Sequence, residues 1–108
     1  VLGILPRADC PNYKWWGASP ECRSGRHRGS LPGVFTSQIA EVNRRLRALC
    51  TGPRTHFLDC GPVFLADNGT RLPRRLMSDH LHPTHEGYHR LTADCLRPHL
   101  EALPRGRP

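Results

Sequence analysis

A chain of 108 residues has room for one small domain, and none of its apolar runs approaches the ~20 residues of a membrane span. Its formal charge of +7 rests on arginine, with Lys14 the only lysine, a balance that would attract phosphates or an anionic lipid surface. Yet the arginines are scattered, from Arg23, Arg26 and Arg28 to Arg105 and Arg107, and neither an RNA-recognition signature nor zinc-finger spacing is present, so the charge reads as a solvated basic surface and nucleic acid is not an expected partner.

The chain opens on Val1-Leu2-Gly3-Ile4-Leu5, an apolar run that reads as a buried strand. A sequence that starts in mid-strand is expected to be part of a longer domain. Residues 10–33 are rich in Pro, Gly, Ser and Arg without periodicity, a long irregular loop whose Tyr13, Trp15 and Trp16 either anchor it to the core or line a pocket. From Val34 to Cys50 the pattern is helical, with Phe35, Ile39, Val42, Leu46 and Leu49 on one face and arginines opposite. Thr36 or Ser37 is placed to cap its start, and Gly52-Pro53 ends it. Thr55–Asp59 reads as a second strand, and strand–helix–strand order implies a right-handed crossover with parallel strands. Two strands alone leave a bare edge, which again implies a larger sheet. Residues 61–78 are mostly irregular around a Val63-Phe64-Leu65 anchor and a turn at Asp67-Asn68-Gly69. A last helix is expected from about Thr84 to Leu103, with Tyr88, Leu91, Cys95, Leu96 and Leu100 facing inward and Pro98 kinking or loosening it. Pro104–Pro108 reads as a disordered tail.

The five cysteines form no C-x-x-C pair, which argues against structural zinc. Cys10 and Cys22 bracket a loop and can pair in an oxidising compartment, while Cys50 and Cys95 fall in helical patterns where a buried thiol serves as a small hydrophobe. Asn68-Gly69-Thr70 is both a glycosylation acceptor pattern and an ordinary turn. The compartment is open on these grounds, with the cytoplasm slightly favoured and secretion the alternative that the cysteines and the Asn68-Gly69-Thr70 pattern allow.

The chemistry concentrates in Asp79-His80-Leu81-His82-Pro83. A histidine acts as general base near neutral pH when one ring nitrogen faces the proton to be removed and the other is held by an acceptor. A carboxylate three residues upstream on a tight turn can accept from Nδ1–H and stabilise the imidazolium that forms. Pro83 confines His82 to extended backbone, Thr84 can cap the next helix, and Gly87 leaves room for a neighbouring backbone. The same segment admits two other readings. One is a capped turn that merely contains histidines. The other is a metal site built from His80, His82, His85 and His89, of which only His85 and His89 share a helix at i, i+4. His56 and His99 have no evident partner.

With its surroundings, Asp79-His80-Leu81-His82-Pro83-Thr84-His85-Glu86-Gly87-Tyr88 resembles the last block of the SGNH (GDSL-type) hydrolases, D-x-x-H-P followed by Gly and an aromatic. Val1–Arg7, ending in Leu-Pro-Arg, resembles a late strand of the platelet-activating-factor acetylhydrolase IB catalytic-subunit branch. Phe35-Thr36 with Ile39, Val42 and Asn43 is similar to the branch's next helix, and Phe57-Leu58-Asp59 through Asp67-Asn68-Gly69-Thr70 to its strand and turn, with Leu76-Met77 ahead of the motif. Together these run in order through most of residues 1–103; the 10–33 loop is the departure.

The resemblance implies a three-layer α/β/α fold with a parallel sheet, of which residues 1–103 would be the C-terminal strand–helix–strand-plus-helix part. It implies a Ser–Asp–His triad in which Asp79 orients and His82 is the general base, acting without cofactor or metal on a small-molecule ester, an acetylated lipid or another acyl ester. The nucleophilic serine lies in an upstream G-D-S block in that family, and the oxyanion hole adds a Gly and an Asn from middle blocks. Ser19, Ser24, Ser30, Ser37 and Ser78 all lack the G-D-S context, so this chain alone is expected to be inactive. A homo- or heterodimer through the parent domain is compatible with the resemblance. The competing reading is a non-catalytic basic binding or assembly module derived from the hydrolase fold.

Overall fold

The computed structural model describes residues 1–9 and 29–103; the expectations for Tyr13, Trp15, Trp16, Cys10, Cys22 and the 104–108 tail fall outside them. The first segment lies parallel to residues 55–59 through one bridge, Leu2 to Leu58. Gly3 N donates to Leu58 O and Leu58 N to Val1 O, both at 2.9 Å. Odd-numbered backbone groups thus face the partner and even-numbered ones face away. On the far side the Asn43 carboxamide takes both groups of Ile4, accepting from its N at 2.7 Å and donating to its O at 3.0 Å. A helix side chain therefore stands where another strand would pair. A single bridge is short of a sheet among the described residues.

Helix α1 spans Thr36–Leu49. Neither Thr36 nor Ser37 caps it: Phe35 occupies the N-cap position without a side-chain bond, and Thr36 Oγ1 instead turns back to accept from Gly33 N at 2.7 Å. No residue of α1 is buried, and Leu49, at the end of the expected apolar face, is 76 % exposed. Its arginines make local contacts. Arg44 and Arg45 converge on Glu41, and the hydrogen bond from Arg44, then that from Arg45, pulls the Glu41 carboxyl down to about 2. Arg47 lies over the Phe57 ring at 4.6 Å and Arg7 over Phe35 at 4.2 Å.

The core sits instead among the turns between the second extended segment and the last helix. Phe64, Cys60 and Met77 are fully buried, Leu72, Leu76, Ala8 and Leu91 nearly so, with Leu5, Leu31, Leu58 and Leu65 packed against them. Phe64 comes from the short 3₁₀ turn Gly61–Phe64, as expected of the Val63–Leu65 anchor. Ala66 and Arg71 then pair across a four-residue turn in which Asp67, Asn68 and Gly69 all take left-handed angles.

The last helix is continuous but changes pitch. It begins as α2 (His85–Arg90), widens into a π-helical stretch over Leu91–Leu96, and ends as α3 (Arg97–Ala102). Pro98 has no N–H to give, and the preceding turn lengthens, with Arg97 N reaching back to Thr92 O. The wider turn shifts the phase of everything after it. Leu100, expected inside, is 64 % exposed. Tyr88 is exposed as well, because the inward stripe is Gly87, Leu91 and Cys95 and starts on a glycine. Cys95 is no free thiol: it is bonded to Cys60, Cα to Cα 5.7 Å, tying the helix to the 3₁₀ turn. Among the described residues, Cys50 is the free cysteine, and it is half-buried.

Gly87 sits where a side chain has no room. A Cβ there would press on the Leu76 carbonyl oxygen and come within 3.1 Å of the Phe64 ring. In an open helix Gly→Ala is stabilising by roughly 1 kcal/mol. Here Gly87→Ala should instead destabilise the full-length protein by about 1–3 kcal/mol, as overpacking does. A urea unfolding midpoint that stays put or rises would show that this close approach does not exist.

Candidate active site

The Asp79–His82 segment is a loop closed at its base. Thr84 Oγ1 donates to Arg75 O at 2.6 Å and Thr84 N to Leu76 O at 2.8 Å, so residues 77–83 must return on themselves. The same Thr84 hydroxyl accepts from Gly87 N at 3.1 Å, which makes it the N-cap of α2. Inside the loop, His80 N donates to Met77 O at 2.9 Å, and His80 takes a left-handed φ of 60° with its side chain buried. Ala8 N donates to His80 O at 2.9 Å, and Gly29 packs so closely that a Cβ would come within 2.8 Å of His80 Nε2. His80 is thus the wedge that docks the loop against the chain following the first extended segment.

With His80 turned inward, Asp79 and His82 are left facing each other on the outside. Asp79 Oδ1 accepts from Leu81 N at 2.9 Å and from His82 N at 2.7 Å. Its other oxygen, Oδ2, lies 2.6 Å from His82 Nδ1. With the ring proton on Nδ1 this is a donation from imidazole to carboxylate, and Nε2 keeps a lone pair with no partner among the described residues. The His82 side-chain hydrogen bond, followed by the backbone N–H groups of His82 and Leu81, holds the Asp79 carboxyl well below the usual carboxylate range. The carboxylate is therefore the fixed partner, kept charged and aimed. The arrangement can orient an imidazole, fix its tautomer and stabilise its protonated form.

Both side chains are open to solvent, 52 % for Asp79 and 75 % for His82. A cavity of about 320 Å³ lies among Pro6, Leu31, Ile39 and Leu65, and another of about 250 Å³ among Val1, His56, His99 and Leu100; neither is lined by Asp79 or His82. No serine hydroxyl reaches His82 among the described residues either; Ser19 and Ser24 fall outside them.

The histidines of the metal reading are dispersed. His80 is buried, His82 is engaged with Asp79, and His85 and His89 lie exposed on α2; among the described residues no three His, Cys, Asp or Glu side chains gather at metal-binding range. His56 and His99, read as unpartnered, face each other edge to face with ring centroids 6.0 Å apart. The role of His80 was hidden in the sequence, although a histidine beside the catalytic-looking pair on so tight a turn had to point away from it. The Thr84 bond to Arg75 O had no sequence signal.

No family model matches the chain. The platelet-activating factor acetylhydrolase IB subunits alpha1 of Homo sapiens, Rattus norvegicus and Bos taurus are each 39% identical to it over 62 residues. That stretch is 56% of this chain and 26% of each relative, so the chain spans about a quarter of the length of the curated relatives it matches. Over that part the chain is related to an acetylhydrolase subunit.

The lowered Asp79 pKa has a definite sign. A carboxylate whose folded pKa lies below its unfolded value contributes stability that is present above the unfolded pKa and is lost as pH falls through the folded one. In a carbon-13 NMR titration, the Asp79 carboxyl should stay ionised while ordinary aspartates protonate near ~3.9. The His82→Ala variant should restore much of that ordinary behaviour. An Asp79 midpoint in the ordinary range in the unmutated protein would remove the hydrogen-bonded pair.

Proposed function

We propose that this chain supplies the orienting acid and the general base of a serine-type carboxylic-ester hydrolase of the SGNH kind. The hydrogen bond between Asp79 and His82 Nδ1, with the second carboxylate oxygen held by two backbone N–H groups, carries the reading. The partial relation to an acetylhydrolase subunit supports it, as does the parallel Leu2–Leu58 bridge, a start on the parallel sheet that such a fold requires.

In this reading His82 Nε2 takes the proton of a serine hydroxyl as the oxygen attacks the ester carbonyl, and Asp79 stabilises the resulting imidazolium. The imidazolium passes the proton to the departing alkoxide as the alcohol leaves. His82 then removes a proton from water, which attacks the acyl-serine; the carboxylic acid leaves and the serine regains its hydrogen. The serine and the oxyanion donors belong to the rest of the full-length protein, a proposal resting on the resemblance of the motif. The substrate class is a small-molecule acyl ester, acetylated lipids included. No metal or cofactor enters the steps.

A second reading has its own observation. His82 is 75 % exposed and borders neither cavity, as a residue of a non-catalytic basic module would be. Ester turnover by the full-length protein separates the two. His82→Ala should lower kcat by about 10²–10⁴-fold, the range for a lost general base. Asp79→Asn should fall toward the same floor, because an amide donor at Nδ1 favours the wrong tautomer. Unchanged turnover in His82→Ala would overturn the hydrolase reading, and no turnover in any form, the unmutated protein included, would favour the binding module.

A further inference from the structure

Two features that the hydrolase reading does not use lie close together in sequence. The first is the Asn68-Gly69-Thr70 pattern, which sits at the tip of the Ala66–Arg71 turn with residues 67–70 all exposed. The Asn68 carboxamide has no hydrogen-bond partner among the described residues, whereas its neighbours are engaged: Asp67 Oδ2 accepts from Arg71 Nε at 2.8 Å, and Thr70 Oγ1 donates to Asp67 O at 2.6 Å. There is space around the tip as well. A Cβ added at Gly69 would meet only Leu65 Cδ1, at an ordinary 3.9 Å. Asn68 has φ 58°, a left-handed angle that asparagine adopts more readily than most residues, so the turn does not force its side chain inward.

The second feature is the Cys60–Cys95 disulfide, thirty-five residues apart in sequence, with Cys60 fully buried in the core. Disulfides persist in secreted proteins and in the lumen of the secretory pathway and are rare in the reducing cytosol. The acceptor pattern is meaningful only in that same compartment. Either feature alone is common; the two point independently to one environment.

We propose that Asn68 is an N-linked glycosylation site and that this protein folds in the secretory pathway with Cys60 and Cys95 joined. In the transfer, Asn68 Nδ2 forms a bond to the anomeric carbon of a lipid-pyrophosphate-linked oligosaccharide. The bond from that carbon to the phosphate oxygen breaks, the lipid pyrophosphate leaves, and Nδ2 loses one proton. Because the Thr70 hydroxyl is turned into the folded hairpin, the transfer precedes closure of the turn. The disulfide forms by exchange with an oxidised protein disulfide, which is reduced to two thiols as the Cys60 and Cys95 thiols are oxidised. The glycan then projects from the exposed tip, while the core beneath it is unchanged. The proposal stands apart from the ester-hydrolase reading and survives or fails without it.

One peptide reports both marks. Trypsin releases Thr55–Arg71, which holds Cys60 and Asn68, and Leu91–Arg105, which holds Cys95, since the Arg97–Pro98 bond resists cleavage. The full-length protein is expressed with its own N-terminus in cultured eukaryotic cells, digested without reduction, and treated with N-glycosidase F in oxygen-18 water. The expected product is the cross-linked pair carrying an oxygen-18-labelled aspartate at position 68, in excess of the label that spontaneous deamidation of Asn68-Gly69 introduces in a parallel incubation in oxygen-18 water without the enzyme. Thr70→Ala should abolish the label and Thr70→Ser retain it. Recovery of Thr55–Arg71 unglycosylated would overturn the glycan, and recovery with free thiols at Cys60 and Cys95 as well would overturn the compartment too.

Discussion

The two hydrogen bonds from Thr84, to the carbonyls of Arg75 and Leu76, are the constraint on which the site depends. They close the base of the 77–83 loop, and the same threonine starts the helix that follows. The first turn of that helix lies directly on the Leu76 backbone, which requires glycine at position 87. Leu76 and Met77 are buried in the same core cluster as Phe64, so the loop springs from the core. A short polar turn would otherwise sample many conformations; anchored at both ends, it loses most of that freedom before Asp79 and His82 meet.

Within the loop there is a division of labour. His80 points in and fixes where the loop sits; Asp79 and His82 point out and fix each other. Exposed ion pairs contribute little to stability, and this one is more than half exposed on either side. Its value lies in direction. The two backbone N–H groups hold the carboxylate whether or not the imidazole is present, so the acceptor is in place before the ring arrives. Such preorganisation suits the proton relay proposed for this pair.

What could be read from the residues alone was local. The Asp79–His82 bond followed from a three-residue spacing on a proline-bounded turn, the Thr84 cap from a hydroxyl ahead of a helical pattern, and the Gly87 contact from a glycine where a helix former would serve better. What escaped was long-range. Periodicity tells which residues of α1 share a face, not whether anything covers it, and Leu49 stands largely open. Cysteine positions do not give connectivity, so Cys95 paired with Cys60 where a buried thiol was expected. Pro98 announced a disturbance of the last helix, but the π-helical stretch before it rotated Leu100 outward, which no count of three- and four-residue steps could reveal. The inward turn of His80 is likewise a long-range matter, set by its close packing against Gly29, which no spacing along the chain reveals.

The central claim is that His82 activates a serine elsewhere in the full-length protein. A fluorophosphonate probe tests it directly, because it bonds covalently only to a serine whose proton is being withdrawn. The unmutated full-length protein should be labelled at one serine within a G-D-S context, and His82→Ala should lose that labelling while remaining folded. Labelling that persists at the same rate without His82, or a folded full-length protein that never labels, would contradict the claim.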